Sequence, residues 1–209
     1  MIALAVLIIG SYLLGSIPPA YILTRLVRGA DIRDLGSGNS GATNAFRVLG
    51  WKGALPVFLF DFFKGFAPAW WVLHASAGFA LPAALPVSLA AILAGTAAFA
   101  GHLFPVYIGF RGGKGVATGA GVLTALCPPL AGCCFAVFIA MAALTRKISA
   151  ASIIAAVSAP LWYLGIVRLR GTGPDLYLLS FMLIISVSVP VTHRKNIRDL
   201  LCGKEKTIV

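Results

Sequence analysis

Acidic residues are scarce in this chain. Only 6 of its 209 residues are Asp or Glu. Magnesium-assisted phosphoryl transfer, which needs carboxylates to hold the ion, is therefore a poor fit, and no carboxylate pair stands out for general acid–base work. Histidine occurs three times and cysteine four. Cys127, Cys133, Cys134 and Cys202 match no zinc spacing and suggest no disulfide framework. No positive residue precedes the first apolar run, and that run is too long for the core of a cleavable leader, so a signal peptide is not expected. Charge as a whole is sparse, at 11% of residues against the quarter usual in soluble domains.

Apolar residues fill the gap. They make up 59% of the chain, and the mean hydropathy is +0.95. An all-α integral membrane protein follows. About twenty residues cross the hydrocarbon layer, so this length allows six or seven helices, and residues 1–209 are read as a single polytopic domain. The 17 Lys and Arg give a net charge of +11. In a membrane protein such an excess marks cytoplasmic loops and contact with anionic lipid, or serves an anionic substrate. No basic helix or aromatic-basic module stands clear of the apolar runs, so nucleic acid is excluded as a partner.

The first span is expected from Ile2 to about Leu26, kinked at Ser16, Pro18 and Pro19. A polar stretch, Gly29 to Lys52, carries a short helix from Ala42 to Leu49. The second span runs from Gly53 to about Ala75, with Asp61 and Lys64 three apart on one face. Such charges belong in the protein interior or in water, and they read equally well as functional groups or as a structural pair. His74 reads as a surface residue. Further spans are expected at about Leu81–Ala100, Gly115 to before Pro128, Leu130–Leu144, Ile153–Val167 and Leu176–Val191, with a turn at Thr145–Ser152 and a tail from Thr192. Apart from Lys64, 14 basic residues then fall in inner segments and 2, Arg168 and Arg170, in outer ones. The arrangement is seven transmembrane helices, N-terminus outside and C-terminus cytoplasmic. Merging the short fourth and fifth spans would put the basic tail outside.

The stretch most suggestive of chemistry is Gly101 to Thr118, GHLFPVYIGFRGGKGVAT. Gly112, Gly113 and Gly115 let backbone N–H groups approach a ligand, and Arg111 and Lys114 add charge. A helix starting near Val116 would aim its positive end at the same place. Phosphate is the anion this suits, although a solvated loop at a membrane surface has the same composition. Lys114 is followed by Gly115 with no strand before the loop, so this is not a Walker A motif. The residues five positions after His102 and His193 are Tyr107 and Arg198, so there is no His-x4-Asp box, and no GxSxG elbow occurs.

Three stretches together resemble the bacterial acyl-phosphate-dependent glycerol-3-phosphate acyltransferase family. They are Gly36-Ser-Gly-Asn-Ser-Gly-Ala-Thr-Asn44 with Arg47, then Gly101-His-Leu-Phe-Pro105 through Gly112-Gly-Lys-Gly-Val-Ala-Thr118, and His193-Arg-Lys-Asn-Ile197 with Gly203 and Glu205. Asp61-Phe-Phe-Lys-Gly65 and the turn at Ser149–Ser152 agree, so the resemblance covers essentially the whole chain. Ser40 stands where such proteins commonly have Pro, and Asp199 where a basic residue is common.

The resemblance implies transfer of a fatty acyl group from a long-chain acyl phosphate to the 1-hydroxyl of glycerol 3-phosphate, giving 1-acyl-glycerol 3-phosphate and phosphate, the first acylation of phospholipid synthesis. The scarcity of carboxylates argues against a metal, no cofactor is expected, and the charge-based topology puts every motif on the cytoplasmic side; a bacterial inner-membrane location and coupling to a soluble enzyme that forms acyl phosphate go with the resemblance. Candidate catalytic residues are Lys114, Ser37, Arg47, His193 and Asn196. Candidate substrate-binding residues are Gly36, Gly38, Asn39, Thr43, Asn44, His102, Arg111, Gly112, Gly113, Gly115, Thr118, Ser149, Ser152 and Arg194. His193 or a substrate phosphate serves as the base, and His102 reads equally as a structural hydrogen-bonder. An organic-phosphate transporter is the rival reading. It would place charge near the bilayer midplane and often show inverted repeats, and none is visible.

Overall fold

The computed structural model describes residues 1–75, 81, 82, 84–205 and 207. Within them the chain is helical and no strand occurs. It forms two compact units, residues 1–126 and 127–209.

The first unit holds α1 (Ile2–Ser16), α2 (Pro19–Arg28), α3 (Ala42–Leu49), α4 (Trp51–Ala75), α5 (Val87–Leu103) and α6 (Val116–Leu126). The expected single kinked helix at the N-terminus is instead two. Pro18 and Pro19 lack amide hydrogens, and Ile17 is extended at φ −61°, ψ 120°. The third expected span also starts later, at Val87 rather than Leu81, because Pro86 caps it in extended conformation and a proline disfavours helix in the residue before it. It runs on through His102 to Leu103.

Close helix crossings hold this unit together. A Cβ on Gly15 would strike the Ala98 carbonyl, and one on Gly101 the Tyr12 carbonyl, so α1 lies backbone to backbone on α5. On α4 and α6, Gly65 faces Thr118 and Gly121 faces the Phe62 carbonyl. Small residues permit such approaches where the surroundings are apolar and dispersion must do the work of packing. A second cluster joins Ala20, Ile32, Ala45 and Val57, and so docks α2, α3 and the following α4 around the segment at 31–41.

The second unit holds α7 (Pro128–Thr145), α8 (Ile148–Leu169), α9 (Leu176–Thr192) and α10 (Arg194–Leu201). Helix α8 packs on α7 and on α9. Asp175 caps α9, its carboxylate accepting from the Tyr177 and Leu178 amides at 2.9 and 3.2 Å. The expected turn at Thr145–Ser152 shrinks to Arg146 and Lys147, since the Ala-rich run from Ile148 is already helical. Ser149 and Ser152 therefore lie in the first turns of α8. The tail is not irregular either: after His193 it forms the short basic helix α10. Lys206 lies outside the described residues.

Four helical stretches among the described residues are long and apolar enough to cross a membrane, namely Ile2–Arg28 (α1 and α2 together, still one span as expected), Val87–Ile108, α7 and α8, and the bent pair α9–α10 makes a fifth. Helix α7 shows why a lipid surround is needed: of its 18 residues only Leu130 is buried in the protein. The chain is an all-α integral membrane protein. Helix α6, with 11 residues, is about 17 Å long and falls short of the roughly 30 Å hydrocarbon layer. Helix α4 has the length, at 25 residues, but carries Asp61 and Lys64.

Candidate functional site

In the first unit the two motif-bearing loops are tied to each other. The 31–41 segment is built around Asn44, which is buried on α3. Its amide nitrogen faces the carbonyls of Ile32, Leu35 and Asn39 at 3.1, 3.0 and 2.9 Å, and its Oδ1 accepts from the Ser37 N–H at 2.7 Å. Gly36 (φ 61°) passes so close to Asn44 Oδ1 that a Cβ there would collide with it. Asn44 and Gly36 are thus the scaffold of the loop, and Ser37 is its exposed tip, with Gly38 beside it. Thr43 and Arg47 are exposed, one turn apart on α3, and Asn39 is half-buried.

Arg33 makes the tie. Its Nη1 donates to the Ile108 carbonyl at 2.7 Å, while its Nη2 and Nε bind Asp31 at 2.7 and 3.1 Å. Those hydrogen bonds hold the Asp31 carboxyl below the usual carboxylate range and push the guanidinium the other way. Ile108 sits in a single 3-10 turn, Val106–Ile108, within the loop that continues to the glycines. Nothing in the sequence pattern had singled out Arg33. A lone arginine in a basic loop carries no signal until its partner 75 residues away is known.

The glycine-rich loop is anchored by its backbone. The Gly112 N–H donates to the Leu103 carbonyl at 3.2 Å and the Gly113 N–H to the His102 carbonyl at 3.1 Å. These bonds use two of the N–H groups expected to face a phosphate. Gly115, at φ 80°, lies over the Phe99 ring, so this position requires glycine both for backbone conformation and for space. Arg111 is exposed and Lys114 half-buried. Thr118 is fully buried where α4 crosses α6.

Behind the loop lies a buried polar cluster. Lys64 Nζ is 2.8 Å from Asp61 Oδ1 and donates to the Ile17 carbonyl at 2.8 Å. Proline at 18 and 19 has broken the helix there, and the lysine satisfies a carbonyl left at the break. His102 Nδ1 lies 3.3 Å from the same Asp61 oxygen. Asp61 and Lys64 side chains are each 2% exposed. Removing one member of such a pair strands the other, at roughly 3–5 kcal/mol. Ser16, Ser40 and Gly113 line the pocket beside these three residues.

The second unit gathers its own candidates. Glu205 Oε1 accepts from Ser149 Oγ and from Asn196 Nδ2, both at 2.7 Å, and so pins the tail to the start of α8. His193 is buried with Nδ1 against the Val189 carbonyl at 2.8 Å. Donation from Nδ1 leaves Nε2 as the lone-pair nitrogen of the neutral ring. Ser152 donates to the Ile148 carbonyl within α8 at 2.8 Å, and Arg194 is exposed. Among the described residues no group of three or more His, Cys, Asp or Glu could hold a metal ion.

This arrangement has relatives. The sequence profile of the family described as glycerol-3-phosphate acyltransferase matches residues 5–203. The chain belongs to the glycerol-3-phosphate acyltransferase family. A glycerol-3-phosphate acyltransferase of Chlorobium phaeobacteroides is 41% identical, the match covering 100% of this chain and 97% of that one. Another from Salinibacter ruber is 42% identical over 100% of this chain and 93% of that one. In structure, the chain is similar to PlsY, an integral membrane glycerol 3-phosphate acyltransferase, in its glycerol 3-phosphate form. That likeness has a TM-score of 0.84 at 38% identity and covers 98% of this chain and 94% of PlsY. The lysophosphatidic acid form of PlsY gives 0.81 at 36% over the same shares.

Proposed function

We propose that this protein acylates the 1-hydroxyl of glycerol 3-phosphate with a long-chain acyl phosphate as donor, releasing lysophosphatidate and inorganic phosphate. The observation that carries the reading is family membership over residues 5–203, joined by the Arg33–Ile108 tie that holds the Ser37 loop to the Lys114 loop. The attacking hydroxyl oxygen forms a bond to the acyl carbon, and the bond from that carbon to the phosphate oxygen breaks. The hydroxyl proton goes to a phosphate oxygen or to His193. Because an acyl phosphate is an activated anhydride, no covalent enzyme intermediate is required.

Lys114 and the Gly112–Gly115 segment are assigned to a phosphate and to the charge that develops as phosphate departs. Ser37, Arg47 and Asn39 are assigned to the second phosphate or to orienting the hydroxyl, with Thr43 and Gly38 of the same segment, and Arg111 is assigned with Lys114. His193, Asn196, Arg194, Ser149 and Ser152 are assigned to glycerol phosphate. The acyl chain of the donor enters between helices from the lipid bilayer, and a soluble enzyme that makes acyl phosphate supplies that donor.

The finer topology belongs to the same proposal. We read seven crossings from the distribution of basic residues, with α6, shorter than the hydrocarbon layer by itself, as part of the fourth and α7 as the fifth, the N-terminus outside, and the loops of Ser37 and Lys114 facing the cytoplasm of a bacterial inner membrane. The 209 residues act as one acyltransferase domain. Membership of an acyltransferase family removes the ground for the transporter reading.

The test is purified protein in detergent with radiolabelled glycerol 3-phosphate and palmitoyl phosphate, chelator present, followed for lipid product. Turnover with acyl-CoA or acyl carrier protein as the donor, free of acyl phosphate, would overturn the donor assignment. No lipid product from any donor would overturn the activity.

A further inference from the structure

We propose that Asp61, Lys64 and His102 form a positioning triad that sets the backbone of the glycine-rich loop from inside the helix bundle, without touching substrate. The inference rests on the assignment of that loop to a phosphate. It gives His102 a role different from the substrate contact expected of it, and it gives the Asp61–Lys64 pair a role in the reaction.

The geometry runs as one chain of contacts through four segments. The Ile17 carbonyl, at the break between α1 and α2, accepts from Lys64 Nζ on α4. Lys64 pairs with Asp61 one turn earlier. The same Asp61 oxygen faces His102 Nδ1 on the last turn of α5. This last contact is electrostatic rather than a linear hydrogen bond, as neither atom has a well-aligned hydrogen-bond partner in the protein. The opposite edge of the ring, Nε2 and Cε1, occupies the space where a Cβ on Gly113 would stand. His102 also receives the Gly113 N–H on its own carbonyl. The loop residue next to Lys114 is therefore held on two sides by one histidine, and the orientation of that histidine is set by a buried ion pair. All three side chains are almost fully buried. A buried ion pair is by itself weak evidence of stabilisation, so its place beside the His102 ring is what assigns it a role.

In the triad Gly113 is a glycine because of the His102 ring, whereas direct approach of substrate would make it a glycine because of the ligand. A double-mutant cycle separates the two. The measurement is kcat/KM for glycerol 3-phosphate at saturating palmitoyl phosphate, with thermal stability in the same detergent, for Gly113→Ala, His102→Ala, the double variant and His102→Asn. We expect Gly113→Ala to lose about 30-fold and His102→Ala about 10-fold, with the double variant near the His102→Ala value rather than at the product of the two. His102→Asn keeps a polar atom near the Nδ1 position and should recover part of the His102→Ala loss. A slow, folded Gly113→Ala whose loss multiplies with that of His102→Ala overturns the triad and leaves the loop assignment standing. A folded Gly113→Ala at the wild-type rate overturns the loop assignment and the triad with it. The paired change Asp61→Asn with Lys64→Met removes both charges together. Folded and fully active, it would also refute the triad; should it not fold, the Gly113–His102 cycle decides alone.

Discussion

Asn44 offers the sharpest test of how the first motif is built, because one side chain does the work of a small scaffold. Its amide has two hydrogens to share among three carbonyls and one oxygen that takes the Ser37 N–H, so about three full hydrogen bonds are at stake. At a net value near 1 kcal/mol each, Asn44→Ala should cost the loop about 3 kcal/mol. That corresponds to roughly a 150-fold increase in the population of the open loop. Little of this need appear as global unfolding, since the 31–41 segment can open while the helix crossings hold. The assay is hydrogen exchange at the Ser37 amide in detergent, together with kcat/KM. Asn44→Ala should speed exchange by about two orders of magnitude when the loop recloses faster than the amide exchanges, and should lower activity at least tenfold through the displaced Ser37. Asn44→Asp splits the effect: its carboxylate can still accept from Ser37, but it faces three carbonyls with no hydrogen to give. It should preserve Ser37 protection better than Asn44→Ala does while still impairing activity. If Ser37 exchange in Asn44→Ala stays within threefold of wild type, with activity retained, the scaffold argument fails.

Other outcomes follow from the same structure. Lys114→Ala should reduce kcat/KM by roughly 10- to 150-fold, the value of a charge-assisted contact, whereas Lys114→Arg keeps the charge and should retain part of the rate; near-wild-type rates for both would show that the loop is not the site. For topology, cysteines introduced as Ile2→Cys and Gly171→Cys in a cysteine-free background should label from outside intact cells and Lys206→Cys should not; external labelling at 206 refutes seven crossings. The Asp31–Arg33 pair should contribute stability in full above the ordinary carboxylate value of 3.8 and lose it as pH falls through the lower folded value. The difference in thermal midpoint between wild type and Asp31→Asn should accordingly be constant from pH 7 to 5 and shrink only in stronger acid; a decline already beginning near pH 6 contradicts the assignment.

Much of this protein is legible in one dimension because the membrane imposes a one-dimensional rule. Apolar runs of spanning length become helices wherever backbone groups cannot reach water, and α4, α7, α8 and α9 stand close to where hydropathy alone puts them. The helix Ala42–Leu49, bounded by Gly41 and Gly50, was equally plain. The family was legible as well, since its motifs are local strings of glycine, hydroxyl and basic residues. Local strings do not reveal which atoms meet. The breaks at Pro18 and Pro86 changed two helix boundaries, because proline acts on its neighbours' hydrogen bonds and the consequence depends on what else can satisfy them. Lys64 could be read as a buried charge, but its carbonyl partner at Ile17 exists only once α4 lies beside that break. Thr118 sits in a motif, and that α4 packs against it is seen only in three dimensions. Asn44, Arg33 and His102 act on residues 5 to 75 positions away or on loops from another helix. Such partners are chosen by helix crossings, whose close approaches at Gly15, Gly65, Gly101 and Gly121 depend on three-dimensional fit rather than on spacing along the chain.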